Sequence, residues 1–90
     1  MAWRIEFDRA AERDLAKLDS LSARRILAFL RDRVAKLDDP RGIGQALAGS
    51  KLGAFWKYRV GDYRIVADIQ DAVVTVLVVR IGNRWEVCRR

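Results

Sequence analysis

Two stretches of alternating side chains meet at Gly61-Asp62, and few folds accommodate that arrangement. Before the pair, Trp56, Tyr58 and Val60 alternate with Phe55, Lys57 and Arg59. After it, Tyr63, Ile65, Ala67 and Ile69 take one side, and Arg64, Val66 and Asp68 the other. A period of two marks strands, and a glycine-led pair between them predicts a tight hairpin. The hairpin has one apolar face, which needs a partner layer from elsewhere in the chain to exclude water.

The rest of the sequence supplies that layer. Residues 2–7 place Trp3, Ile5 and Phe7 on one side and Ala2, Arg4 and Glu6 on the other, which predicts a strand. Asp8 is a suitable N-cap for a helix in which Ala11, Leu15 and Leu18 recur at helical spacing. Asp19-Ser20 breaks that helix and can cap a second, whose Ile26, Phe29, Leu30, Val34 and Leu37 form one apolar stripe. The second helix is expected to end before Asp38-Asp39-Pro40-Arg41-Gly42, because proline disfavours helix in the residue before it. Residues 41–54, with four glycines, read as an exposed loop. Gln70-Asp71 reads as a second turn, and Val73 to Ile81 as a central strand rich in β-branched residues. Gly82-Asn83 reads as a third turn or bulge, and Arg84 to Arg89 as a short last strand. The expected fold is α+β: a small antiparallel sheet with two N-terminal helices packed on one face, in the order β-α-α-β-β-β-(β).

Ninety residues support one core, so residues 1–90 are expected to form a single domain. A lone cysteine, Cys88, forms no internal disulfide, and without histidine a Cys/His zinc site is excluded. The missing histidine also removes the usual general base and the Ser-His and Cys-His nucleophile pairs. No run approaches the ~20 apolar residues of a membrane span, and the N-terminus carries no apolar run of signal-peptide length. A cytoplasmic protein without membrane contact is therefore expected.

Charge narrows the partners. The net charge is +6, and residues 41–90 contribute nine Lys/Arg against four Asp/Glu. This excess suits a polyanion, although it also serves an ordinary small protein as solubilising charge. If helices cover the face bearing Trp56, Tyr58, Tyr63 and Ile65, then Lys57, Arg59 and Arg64 share the opposite face on paired strands. Like charges in facing positions repel unless an anion joins them. The inferred site is thus a cationic patch on a sheet, with a solvated sheet face as the plainer alternative. Arg84 can join the patch from the end of the central strand, and Arg80, Arg89 and Arg90 lie near it in sequence. Phe55 and Trp85 offer rings for base stacking, or ordinary packing. Gly42-Ile43-Gly44 lacks the third glycine of a dinucleotide fingerprint and follows a helix, so it reads as loop. Asp38-Asp39 and Asp68-Asp71 read as turn residues rather than Mg²⁺ ligands.

The segment Trp56-Lys57-Tyr58-Arg59-Val60-Gly61-Asp62-Tyr63-Arg64-Ile65 resembles the RelE/ParE toxin superfamily of type II toxin–antitoxin systems. Other stretches agree in order: Lys17-Leu18-Asp19, Asp39-Pro40-Arg41, Ala46-Leu47-Ala48-Gly49, and Ile81-Gly82-Asn83-Arg84-Trp85-Glu86-Val87. The resemblance implies a twisted antiparallel sheet and a toxin held silent by an antitoxin. Its RelE branch implies cleavage of mRNA in the ribosomal A site by the RNA's own 2′-hydroxyl, leaving a 2′,3′-cyclic phosphate, with no metal or other cofactor. Arg64 and Arg84 match positions that bind and polarise the phosphate, for which the fixed guanidinium fork is suited. Lys57 matches a basic strand position and is expected to serve as acid or base. Cys88 stands where many relatives have tyrosine; its thiol is a fourth catalytic candidate, or a small apolar residue of the last strand. Arg59, Lys51, Asn83, Arg80 and Trp85 are the expected RNA-binding residues. Asn83 replaces a histidine or lysine of many relatives, and Ala48 an arginine of some.

Three functions follow as expectations. The first is a ribosome-dependent endoribonuclease. The second is a ParE-like inhibitor of DNA gyrase without nuclease activity. The third is a weakened toxin that mainly binds its antitoxin. The antitoxin partner is expected to be small and acidic, and the toxin–antitoxin complex to reach operator DNA through it.

Overall fold

The computed structural model describes residues 3–46 and 55–83. Strand β1 (Arg4–Phe7) leads into helix α1 (Arg9–Ala16) and helix α2 (Ser20–Phe29). Strands β2 (Gln45–Ala46), β3 (Phe55–Val60), β4 (Tyr63–Gln70) and β5 (Thr75–Asn83) follow. They form one five-stranded sheet in the order β1-β5-β4-β3-β2. The α+β layering is as expected, but the sheet is mixed. β1 runs parallel to β5, with Ile5 beside Val76, while every other pairing is antiparallel. The two helices between β1 and the meander act as a long crossover, and such a return brings the strand back in the same direction.

Local chemistry starts each element. The Asp8 carboxylate accepts the Ala10 N–H at 3.4 Å and caps α1, and Asp19 accepts the Ser22 N–H at 3.1 Å and caps α2. Beyond Phe29 the helix widens to a five-residue hydrogen-bond spacing over Leu30–Val34, where the Ala35 N–H donates to the Leu30 carbonyl. Ile26, Leu30 and Val34 are fully buried against Tyr58, Ile65, Ala67, Val76, Val78 and Ile81. The hairpin closes at Gly61-Asp62, with Val60 opposite Tyr63. Gly61 sits at φ +59, a region open to glycine at no steric cost.

Three local readings change. The stretch read as loop contains a tight turn at Pro40–Ile43 and the edge strand β2. Val73 belongs to a turn at Asp71–Val73 instead of the central strand, which starts at Thr75 after the left-handed Val74. Gly82 and Asn83 continue β5 rather than turning. The irregularity expected there lies earlier: Val66 pairs with Arg80 and Ala67 with Val78, so Val79 is the extra residue of a bulge. The bulge lets Val76, Val78 and Ile81 all face the core, which strict alternation forbids. The predicted strand over Arg84 to Arg89 lies outside the described residues.

Candidate nucleic-acid interface

Register places the cations. Tyr58 and Ile65 are opposite each other and buried beneath the helices, so the alternate residues of β3 and β4 turn outward. Arg59 stands directly opposite Arg64, and Lys57 opposite Val66. Gln45 of β2 flanks Lys57 on its other side. Lys57, Arg59, Arg64, Gln45, Ile43 and the edge of Tyr58 line one shallow cleft of about 190 Å³. The expected convergence of Lys57, Arg59 and Arg64 is therefore met.

The cleft is electrostatically incomplete. Arg59 is exposed, but Arg64 is half-buried, and its buried Nη1 has no hydrogen-bond partner among the described residues. An unpaired buried donor costs ~1–3 kcal/mol, more for a charged group, and the facing Arg59 adds repulsion. A bound anion with free oxygens relieves both penalties at once.

The turn that leads to Ile43 and Gln45 is held by a clamp. Arg41 makes a two-pronged contact with Asp71, Nη2 to Oδ2 at 2.7 Å and Nη1 to Oδ1 at 3.2 Å, and also reaches Asp39 at 3.3 Å. Its guanidinium lies 5.8 Å from the Trp56 ring centroid. Hydrogen bonding to Arg41 holds the Asp71 carboxyl below the usual carboxylate range. Asp39 also accepts the Arg41 N–H and serves the turn as expected, whereas Asp68, read as a turn residue, lies within β4 and accepts from the Gln70 amide. The buried Tyr58 hydroxyl donates to the Pro40 carbonyl at 2.7 Å. Burial, with Asp39 adding to it, pushes the Tyr58 phenol up to about 12. Together these contacts carry the chain past β3 at Gly44 and deliver Ile43 and Gln45 to the rim.

Other predicted residues lie elsewhere. Arg80 donates from Nε to Asp14 of α1 at 2.8 Å, and the same carboxylate oxygen accepts the Ile81 N–H at 2.9 Å. β1 ends opposite Val78, so Asp14 substitutes for a neighbouring strand at this edge. Asn83 lies at the end of β5 in a different depression, with Lys17, Tyr63 and Arg80. Phe55 is half-buried on β3. Lys51, Arg84, Trp85 and Cys88, as well as Ala48, Arg89 and Arg90, lie outside the described residues. Sequence reading missed Ile43 and Gln45, because a two-residue edge strand carries no readable period.

A family model described as the ParE toxin of type II toxin–antitoxin system, parDE, matches residues 5–87. The chain is 29% identical over 90 residues to Toxin RelG of Mycobacterium tuberculosis, with 100% of both chains covered. It is also similar to the toxin–antitoxin complex RelBE2 of M. tuberculosis, with a TM-score of 0.84 and 25% identity over 93% of each chain. The intact E. coli RelBE toxin–antitoxin complex shares the fold, with a TM-score of 0.70 and 24% identity over 91% of this chain and 96% of that one. With a family model spanning the sheet, both helices and the cationic hairpin, the chain belongs to the RelE/ParE superfamily and is a toxin of a type II toxin–antitoxin system.

Proposed function

We propose that this toxin is a ribosome-dependent endoribonuclease that cleaves mRNA by attack of a ribose 2′-hydroxyl on the adjacent phosphate. The observation that carries the reading is the cleft in which Lys57, Arg59 and Arg64 converge and the buried Arg64 Nη1 has no partner among the described residues. The reaction needs a group to take the 2′-hydroxyl proton, positive charge for the phosphorane oxygens, and an acid for the leaving 5′-oxygen. Arg64 supplies fixed charge and directed N–H donors. Arg59 is assigned to the RNA backbone, and Lys57, one strand row away, to proton exchange. Arg84 and Cys88, outside the described residues, are assigned by the family resemblance to the phosphate and to proton transfer. Lys51, Asn83, Arg80 and Trp85 are assigned to RNA contact outside the reacting phosphate.

The partner that silences the toxin is a cognate antitoxin, a reading supported by the similar chains whose structures are toxin–antitoxin complexes. The complex reaches operator DNA through the antitoxin, and the site of action is the ribosome in the cytoplasm.

The test uses purified toxin, translating ribosomes and mRNA-end mapping. Wild type is expected to cut within reading frames, and Arg64→Ala to lower the rate by ~10²-fold or more. Normal translation in the presence of folded wild type overturns the proposal. The match to the ParE toxin family model favours a second reading, gyrase inhibition, which a supercoiling assay with the same two proteins separates.

A further inference from the structure

We infer that Gln45 is a specificity-determining residue of the cleft, reading the Hoogsteen edge of an adenine base next to the phosphate gripped by the arginines. This rests on the RNA reading above and deepens it.

The argument begins with what the cations cannot do. Lys57, Arg59 and Arg64 present positive groups to a backbone that is the same in every sequence, so their contacts position RNA without selecting it. Selection needs neutral hydrogen-bonding groups or shaped apolar surface at the edge of a base. Among the described residues lining the cleft, Gln45 contributes the carboxamide and Ile43 the aliphatic surface.

Register gives Gln45 its place. It is the Cα partner of Lys57, so both side chains leave the same face of the sheet, with Cβ atoms ~5 Å apart. Arg59 and Arg64 form the next row of that face. Gln45 therefore stands beside the phosphate-gripping row, about one nucleotide's reach to its side. Gln45 is exposed, and no hydrogen bond within the described residues engages its carboxamide. Ile43 is 38% exposed next to it, an apolar platform for a base face.

On the Hoogsteen edge the chemistry of a carboxamide then selects the base. One amide offers a donor and an acceptor side by side, which matches the N6–H and N7 pair that adenine presents on that edge, where cytosine and uracil offer no such pair. Guanine presents two acceptors on the equivalent edge and suits arginine better.

The experiment measures binding of the full chain to four single-stranded oligoribonucleotides, oligo(A), oligo(C), oligo(G) and oligo(U), at one salt concentration. Wild type is expected to bind oligo(A) at least about fivefold more tightly than the others. Gln45→Ala and the size-matched Gln45→Met are expected to bring the four within twofold of each other. Arg64→Ala is expected to weaken all four by a similar factor and keep their order. Equal binding of the four by wild type overturns the inference, as does an unchanged order in both Gln45 variants. The cleavage assay run in parallel separates the two readings. Gln45-dependent adenine preference without ribosomal cleavage upholds base reading and removes the nuclease. Cleavage whose cut-site pattern is the same in wild type and Gln45→Met keeps the nuclease and removes the base reader. Failure to bind any of the four RNAs overturns the inference.

Discussion

At the residue scale, single side chains settle whether the cleft holds its shape. Tyr58 is 1% exposed and spends its hydroxyl on the Pro40 carbonyl, so one residue ties the strand carrying Lys57 and Arg59 to the turn that leads to Gln45. Its phenol is raised from 10.0 to about 12 in the fold. The folded state therefore keeps its proton where the unfolded chain has lost it. The stabilisation is complete below pH 10 and declines as pH rises from 10 through about 12. Urea unfolding of wild type across this window is expected to show that loss, and Tyr58→Phe to remove the part due to the phenol. The variant is also expected to lower stability at pH 7 by ~1–3 kcal/mol, because the buried Pro40 carbonyl loses its donor. A Tyr58→Phe profile that falls as steeply as wild type above pH 10 would assign the alkaline loss to other groups. Asp14 plays a comparable part at the opposite edge, where one half-buried carboxylate serves both the Ile81 N–H and Arg80.

At the element scale, the edge strand β2 is the piece that turns a cationic sheet face into a cleft. It is two residues long and cannot be held by its own ladder alone. The Arg41 clamp on one side and the close pass at Gly44 on the other position it. Gly44 has no need of an unusual backbone angle; its demand is space. A Cβ there would meet Tyr58 Cε1 at 3.0 Å and the Lys57 carbonyl oxygen at 3.2 Å. The Tyr58 ring is fixed in the core, and the carbonyl belongs to the backbone that carries Lys57, so neither yields easily. Gly44→Ala is expected to cost ~1–3 kcal/mol in denaturant unfolding and to lower RNA affinity by pushing β2 off β3. An unchanged unfolding midpoint would show that the edge relaxes freely.

At the scale of the whole molecule, the sheet separates two environments. Its helix-covered face buries the apolar core, and its other face carries Lys57, Arg59 and Arg64. RNA binding through Lys57, Arg59 and Arg64 is expected to release counterions. The slope of log K against log salt for single strands is expected to be about −2 or steeper. Arg64→Ala is expected to make that slope shallower by about 0.7. Affinity independent of salt would place RNA away from this face.

Much of this architecture is legible in the sequence. The period-two run on either side of Gly61-Asp62 determines the hairpin, its register and therefore the side on which Lys57, Arg59 and Arg64 emerge, because strand geometry is local. The stripe of Ile26, Leu30 and Val34 likewise determines which side of α2 and of its widened continuation over Leu30–Val34 is buried. Three features answer to no local rule. The parallel pairing of β1 with β5 joins residues some 70 positions apart. The bulge at Val79 is set by the need to keep both Val78 and Ile81 in the core. The entry of Gln45 into the cleft depends on Arg41 meeting Asp71 and Tyr58 meeting Pro40, contacts 30 and 18 residues apart in the chain. The sequence by itself thus determined which side chains are cationic and which face they share. Only the tertiary structure decided what stands beside them, since short edge strands and long-range pairings draw their stability from packing and leave no periodic trace.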